Sequence, residues 1–479
     1  MANPDHLRHL DAGDWNEWRA AHPTLAPDLV DADLSGRDLS GLNLQKAHMR
    51  SADLGGARLD RADLTHANVQ GAIFRNATAR DARFDKVHLD FLDLTGVDLT
   101  GASFDGASFR GANLTGAVLV GARLDHAQLE SALFDDADLS RASLVGATFR
   151  GARFTGTVLR QINAEGAMLE GVELQGLDLR GAVFRKATAD NAQLSKADLT
   201  GADFTDASLR GTNFHSATLI EARFHNAQAE GASLDHADLE KAQLVNTNLA
   251  RADLRGASLL HAVLDGCVLA EARLSELDFR SPQMGRLSFA SADLHRSVFT
   301  RCELRNADFR KANLEETDFR HANLEGANLQ EARMADATFR HANLKQARLV
   351  DVEAQGADLS GTNMILVKAE RAMMVGTDLR FTDAVGIDLA HADLRWADLR
   401  NADFTKGNLD HARLWGARIR NTKLPANMAH WGLILRVSQV FHNWQRKAEQ
   451  MKKAREQKRI REVAELVRKR EASQRRRPR

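Results

Sequence analysis

Between Val97 and Gly121 the chain reads VDLTG-ASFDG-ASFRG-ANLTG-AVLVG. In each block of five a large apolar residue stands third and a small apolar residue stands first. Working outward in both directions, the same register reaches every residue whose number ends in 4 or 9, from Leu34 to Leu424. Those 79 positions hold 47 Leu, 18 Phe, five Met, seven Ala, Val69 and Ile419, so no polar residue occupies any of them. The register never slips, which predicts that no loop is inserted. The residue two before each centre is usually Ala, as at Ala32, Ala52, Ala62, Ala102 and Ala112. A helix would repeat its apolar residues at three and four, and a strand at two. A strict five needs a backbone that turns a corner after every large apolar residue.

These blocks resemble the pentapeptide-repeat family, whose motif is A-(D/N)-L-X-X. Instances are ADLTH from Ala62, ANLTG from Ala112, ADLSR from Ala137, ADLRG from Ala252 and ANLEG from Ala322. The resemblance implies an all-β solenoid, a right-handed quadrilateral β-helix in which four pentapeptides make one coil. About 20 coils would stack at roughly 4.8 Å each. Centre and i−2 side chains would point inward, one slot large and the other small. The exceptions fit this packing. Ala164, Ala354 and Ala369 are small centres, and Ile162, Val352 and Val367 put the bulk two residues earlier. Such swaps roughly conserve volume.

The chain divides on this reading into a helical cap at 1–28, the repeats at 29–424, an amphipathic helix at 425–454 and a basic tail at 455–479. In the cap, DHLRHLDAGDWNEWRAAHP reads as a short amphipathic helix ended by Pro23. Its W-N-x-W-R-x-x-x-P pattern, from Trp15 to Pro23, looks like the lead-in of bacterial members of the family. A cap is needed because an open sheet edge invites aggregation. Pro282 is the one proline in the regular register and lacks an N–H for the ladder. With Leu277 and Leu287 beside it, a bend is expected near 277–289.

After Leu424 the period ends. Trp431, Ile434, Val437, Phe441 and Trp444 recur at helical spacing. Residues 436–479 hold 16 Lys and Arg against five Glu, so the zero net charge of the chain hides +11 there and −11 before it. Two contacts follow. The stripe Trp431, Ile434, Phe441 and Trp444 is expected to meet the outward-facing Trp396 and Trp415, either within one chain or across a homodimer. The basic residues Lys452, Lys453, Arg455, Lys458 and Arg459 are expected to be open to an anionic partner such as nucleic acid.

The sequence argues against catalysis. No G-x-S-x-G, P-loop or H-E-x-x-H pattern occurs. No cofactor or metal is called for. His321 and His341, and His391 and His411, are 20 residues apart and would stack, but a metal site needs a third ligand. Cys267 and Cys302 both occupy i−2 slots, as small buried residues. Along one face Arg280, Arg320, Arg340, Arg380, Arg400 and Arg420 run beside Asp278, Asp318, Asp358, Asp378 and Asp398, a self-neutralising ladder. The opening residues carry no signal-peptide pattern, and no apolar run reaches the roughly 18 residues of a membrane span. A soluble cytoplasmic protein is expected.

The function expected is a non-enzymatic scaffold that binds macromolecules through a rigid solenoid and its C-terminal end. The resemblance also implies an alternative, since the family is best known for protecting DNA gyrase by acidic DNA mimicry. Here the −11 is spread over about 20 coils, whereas B-DNA carries one charge per about 1.7 Å.

Overall fold

The computed structural model describes residues 2–280, 284 and 287–428. Pro282 and the residues from Trp431 through the basic tail lie outside them. The chain divides into two compact units, Met1–Asp318 and Phe319–Arg479.

Each unit is built from the same coil. The residue before most centres makes one parallel bridge to the residue 20 further along, as in Asp28, His48 and Asn68 of the first unit or Asn343, Asn363 and Asp383 of the second. Twenty residues per coil and five per side give four sides. The centre donates its N–H to the next coil (Leu34 to the Asp53 carbonyl, 2.8 Å), and the residue before it donates to the previous coil (Asp53 to the Ala32 carbonyl, 2.9 Å). The corner residue, two after the centre, has a left-handed backbone. Gly116 (φ 66°) takes it without strain, while Lys46 (φ 57°) and Trp396 (φ 63°) take it despite their side chains.

One N–H per block remains, that of the residue just after the centre. The motif's Asp or Asn answers it. Asp33 accepts from the Ser35 N–H at 3.1 Å, Asp98 from Thr100 at 3.1 Å, and Asn213 from His215 at 3.0 Å. Where that residue is absent, an Asp of the coil before takes over, as Asp90 does for Arg110 at 2.9 Å and Asp190 for Arg210 at 2.9 Å. The polar part of the motif therefore serves the backbone wherever Asp or Asn stands before the centre.

Inside, the centres form columns. Phe184, Phe204 and Phe224 stack face to face at 5.1 and 5.0 Å in the first unit, and Phe319 and Phe339 at 4.8 Å in the second. Ile162, Val352 and Val367 are buried beside their small centres Ala164, Ala354 and Ala369. The small slot also takes hydroxyls and thiols, because the carbonyl of a centre in the coil before lies within reach. Thr212 donates to the Ala189 carbonyl (2.8 Å), Thr247 to Phe224 (2.7 Å), and the Cys267 thiol to Leu244 (2.7 Å). Burial pushes both thiols, Cys267 and Cys302, up to about 12, which leaves them protonated and inert.

The N-terminal segment forms two helices rather than one: α1, Pro4–Ala12, and α2, Trp15–Ala21. Gly13, at φ 74°, ends α1 with its N–H on the Leu10 carbonyl. The pair closes the first coil with specific bonds. Trp15 is buried and its Nε1 donates to the Asn43 carbonyl at 2.9 Å. Asn16 accepts from the Asn43 N–H (2.9 Å) and donates to the Gly41 carbonyl (3.1 Å). Arg19, 3% exposed, donates to the carbonyls of His22, Leu25, Asn43 and Gln45. Trp18 packs among His6, His9, Trp15 and His22, so both tryptophans are committed to the cap. Arg19→Ala would leave those buried carbonyls unsatisfied and is expected to cost about 2–3 kcal/mol. Urea unfolding reads this directly, and an unchanged midpoint would remove Arg19 from the cap.

Candidate interaction surfaces

Three outward positions per block, at i−1, i+1 and i+2, set the surface. Where Asp and Arg flank one centre, both project from the same side and clasp each other. Asp253 and Arg255 (2.7 Å) and Asp308 and Arg310 (2.7 Å) do so in the first unit, and Asp378 and Arg380 (2.6 Å), Asp393 and Arg395 (2.7 Å) and Asp398 and Arg400 (2.7 Å) in the second. The guanidinium two residues on holds the carboxyls of Asp278, Asp308 and Asp393 below their usual range. Of the predicted ladder, Arg280 pairs with Asp278, Arg380 with Asp378 and Arg400 with Asp398, while Arg340 reaches Asp358 at 3.7 Å. Within this ladder three of these four pairs close inside a block, whereas elsewhere many pairs join neighbouring coils, as Arg80 with Asp98 (2.6 Å), Arg296 with Glu316 (2.9 Å) and Arg371 with Asp351 (2.6 Å) do.

The predicted histidine pairs do stack, His321 on His341 at 5.3 Å and His391 on His411 at 4.8 Å. Among the described residues no three His, Cys, Asp or Glu side chains are disposed to hold a metal. Sequence reading missed one constellation. His215 Nδ1 lies 2.6 Å from an Asp235 carboxylate oxygen, and its Nε2 lies 3.2 Å from the Ser216 hydroxyl. The signal was the 20-residue spacing of His215 and Asp235. This order of groups resembles that of an acyl-transfer site, but the surrounding N–H groups are spent. Ser216 donates its own to the Asp235 carbonyl (3.0 Å) and Ala217 to the Phe214 carbonyl (2.9 Å). An oxyanion would find no donor there.

Exposed apolar residues occur in both units, Phe91 foremost in the first, and in the second they fall close together between Leu366 and Trp415. Trp396 and Trp415 meet edge to face at 4.2 Å, and the Trp396 N–H donates to the Trp415 carbonyl. The Trp396 ring lies over Gly416, where a Cβ would come within 2.2 Å of it, so that corner has room for glycine alone. Trp415 is 55% exposed and Met373 40%. Bridges from Met373 to Asp393 and from Asp393 to Arg413 place the four side chains Met373, Val375, Trp396 and Trp415 on one side of successive coils. Leu366 and Phe381, also exposed, stand at other corners. The stripe Trp431, Ile434, Phe441 and Trp444 and the basic residues Lys452, Lys453, Arg455, Lys458 and Arg459 lie outside the described residues. So does Pro282, and with it the expected bend.

The repeat geometry has a counterpart in known families. The model for pentapeptide repeats matches residues 28–65, 57–90, 93–130, 122–161, 148–185, 165–201, 197–235, 212–249 and 387–424. A second, for a pentapeptide repeat region, matches 232–309 and 292–355. The chain belongs to the pentapeptide-repeat family. With that family comes the right-handed quadrilateral β-helix. Among solved structures, the chain is similar to HetL, a pentapeptide repeat protein involved in heterocyst differentiation regulation from the cyanobacterium Nostoc. Identity is 26%, over 53% of this chain and 90% of HetL, with a TM-score of 0.20. It is also similar to QnrB1, a plasmid-mediated fluoroquinolone resistance protein, at 20% identity over 43% of this chain and 92% of QnrB1, with a TM-score of 0.22. A third is a pentapeptide repeat protein of the Arabidopsis thaliana thylakoid lumen, at 28% identity over 27% and 68% of the two chains, with a TM-score of 0.16. The family assignment rests on the repeat models, to which TM-scores this low add no weight. A comparison with curated protein sequences returns no match. Among the described residues of this pentapeptide-repeat protein, no helix is long and apolar enough to cross a membrane.

Proposed function

We propose that this pentapeptide-repeat protein is a non-enzymatic scaffold that binds macromolecular partners, and that its C-terminal apolar face joins a second copy of the chain. The observation that carries this reading is the side formed by Met373, Val375, Trp396 and Trp415. Elsewhere the outward positions are filled mostly by polar residues, many in clasped ion pairs, which offer little free energy to a partner. Here Trp415 keeps over half its surface in the single chain. Exposed contiguous apolar surface of this kind marks a contact. The chain continues for 51 residues past Met428, and the stripe Trp431, Ile434, Phe441 and Trp444 is the apolar complement such a face needs. A two-fold arrangement, each copy's stripe on the other's tryptophans, is the simplest closed form.

A second reading is a regulator of a DNA-handling enzyme, or a direct nucleic-acid contact, through Lys452, Lys453, Arg455, Lys458 and Arg459. The +11 of residues 436–479 favours it. DNA mimicry by the solenoid has less support, since many of its carboxylates are already clasped by arginines. Strong salt dependence of partner binding would favour this second reading.

Light scattering tests the contact. The intact chain, of 52.8 kDa, is expected at twice that mass at micromolar concentration. Trp415→Asp, and separately Phe441→Asp with Trp444→Asp, should return the single mass with an unchanged circular dichroism spectrum. A single mass for the intact chain across that range would overturn the two-copy contact. Capture of partners by the intact chain and by one ending at residue 424 then assigns the attachment to the C-terminal segment or to the solenoid.

A further inference from the structure

We propose that the corner built from Ser140, Arg141, Arg160, Gln161 and Arg180 is a binding site for a small phosphate-bearing anion. These five residues line an open cavity of about 440 Å³ in the first unit. The repeat puts them together. Ser140, Arg160 and Arg180 are the i+1 residues of three successive coils on one side, and Arg141, Gln161 and Gly181 are the corner residues that follow them. Arg141 stands at φ 62°, which sets the direction in which its Cα–Cβ bond leaves the corner.

Two features define this corner. The first is a shared carboxylate with an unpaired arginine beside it. Carboxylates shared by two guanidinia recur at Asp253, with Arg255 and Arg273, and at Asp398, with Arg400 and Arg418. At Asp178 two guanidinia from adjacent coils converge: Arg180 lies at 2.8 Å and Arg160 closer still, with Asp198 3.5 Å from Arg180. Arg141 pairs with no carboxylate among the described residues, although Asp138 stands in its own block, where it accepts from the Ser140 N–H at 2.9 Å. The second is placement. Asp138, Val158 and Asp178 form the bridged column, on the side of the arginines away from the corner. No carboxylate lines the cavity, which meets three guanidinia, a carboxamide and a hydroxyl.

Arg160 and Arg180 are each about half exposed, at 52% and 45% of side-chain surface. Asp178 therefore orients the two planes while leaving donors free toward solvent. Planar guanidinia held in this way suit a tetrahedral oxyanion, which accepts paired N–H bonds from each. Gln161 adds a donor between them and Ser140 a hydroxyl. The cavity has room beyond a bare phosphate, so a phosphomonoester or a diphosphate fits the chemistry better. The site lies in the first unit and does not depend on the C-terminal contact.

Calorimetric titration of the intact protein with inorganic phosphate and with pyrophosphate, in 150 mM NaCl, tests it. Pyrophosphate is expected to bind one site per chain, and Arg141→Ala and Arg160→Ala should each weaken it roughly tenfold. Arg255→Ala, which opens a shared clasp whose corner residues His236, Gly256 and Glu276 include no arginine, should leave the affinity unchanged. All three positions are on the surface, and unchanged thermal unfolding would confirm that the variants fold. Equal binding by Arg141→Ala and the parent, or weakening by Arg255→Ala to the same degree, would mean an adventitious ion only and would overturn the site. Binding of single-stranded oligonucleotides but not of pyrophosphate would also overturn it, by assigning the arginines to a polymer.

Discussion

Phe204→Ala is expected to lower the stability of the first unit by about 3–5 kcal/mol. The ring is 1% exposed and sits in the middle of a column. Phe184 stacks on one face at 5.1 Å and Phe224 on the other at 5.0 Å, while Phe214, on the next side of the coil, meets it edge-on at 5.7 Å. Truncation therefore removes two stacked contacts and one edge contact and leaves a gap that three neighbouring rings line. Those rings sit on coils tied by a hydrogen bond at each side (Phe184 N–H to Asp203, Phe204 N–H to Arg223), so the backbone cannot close over the space. Coils contact only their neighbours, so the damage should be local before it is global. Hydrogen exchange is expected to show the greatest loss of protection in the coils from about residue 184 to 224, with distant coils less affected. Urea unfolding gives the total. A variant that unfolds with the parent and keeps its protection would mean that Phe204 does not fill an inward slot.

Phe204 could be placed from the sequence because one rule, an apolar residue at every fifth position and never a polar one, holds without a slip from Leu34 to Leu424. The coil length, the two inward slots and the volume swap at Ile162 and Ala164 all follow from that rule and from the narrowness of the interior. The helix pair at the N-terminus was read as one helix because its apolar residues run on past Gly13, and the break depends on a backbone angle that a moment of hydrophobicity does not register. The purpose of Asp and Asn in the motif was not read at all. Asp33, Asp98 and Asn213 look like solvated surface residues in the sequence, and become necessary once the turn leaves one N–H per block without a backbone acceptor. Cys267 reads in the sequence as a small buried residue, and the structure gives it, like Thr212 and Thr247, a carbonyl 23 residues back. The arginine corner was out of reach for a different reason. Ser140, Arg160 and Arg180 are 20 apart and could be aligned, but which way each guanidinium turns is decided by Asp178. The Trp396 and Trp415 side was legible in part, since both residues break the polar pattern of the outward positions. Gly416, which makes room for the Trp396 ring, carried no signal among so many corner glycines.

Leu254→Asp should cost more than the Phe204 truncation, at least about 5 kcal/mol at neutral pH, and its cost should depend on pH in a stated direction. Leu254 is 1% exposed, with Leu234 and Leu274 above and below it in the same column. A carboxylate there would lose its water and gain no partner. Asp253 and Arg255, its chain neighbours, project outward and are bound to each other at 2.7 Å. Burial without compensation raises a carboxyl's pKa, so the folded value at 254 lies above the unfolded value of about 3.9. The penalty is smallest below that unfolded value and grows as pH rises toward the folded one. The parent behaves in the opposite sense. Asp278, Asp308 and Asp393 are held below their usual range, so their stabilisation is present above the unfolded value and fades as pH falls through the folded one. Comparing variant with parent at each pH cancels that common loss. Urea unfolding at pH 4.5 and 7.5 should therefore give the larger difference at pH 7.5, and Leu254→Asn, polar but without a titrating group, should give the same difference at both. If Leu254→Asp and Leu254→Asn showed the same flat dependence, the carboxylate would be reaching water, and the slot at the centre of each block could not be the dry column on which the coil depends.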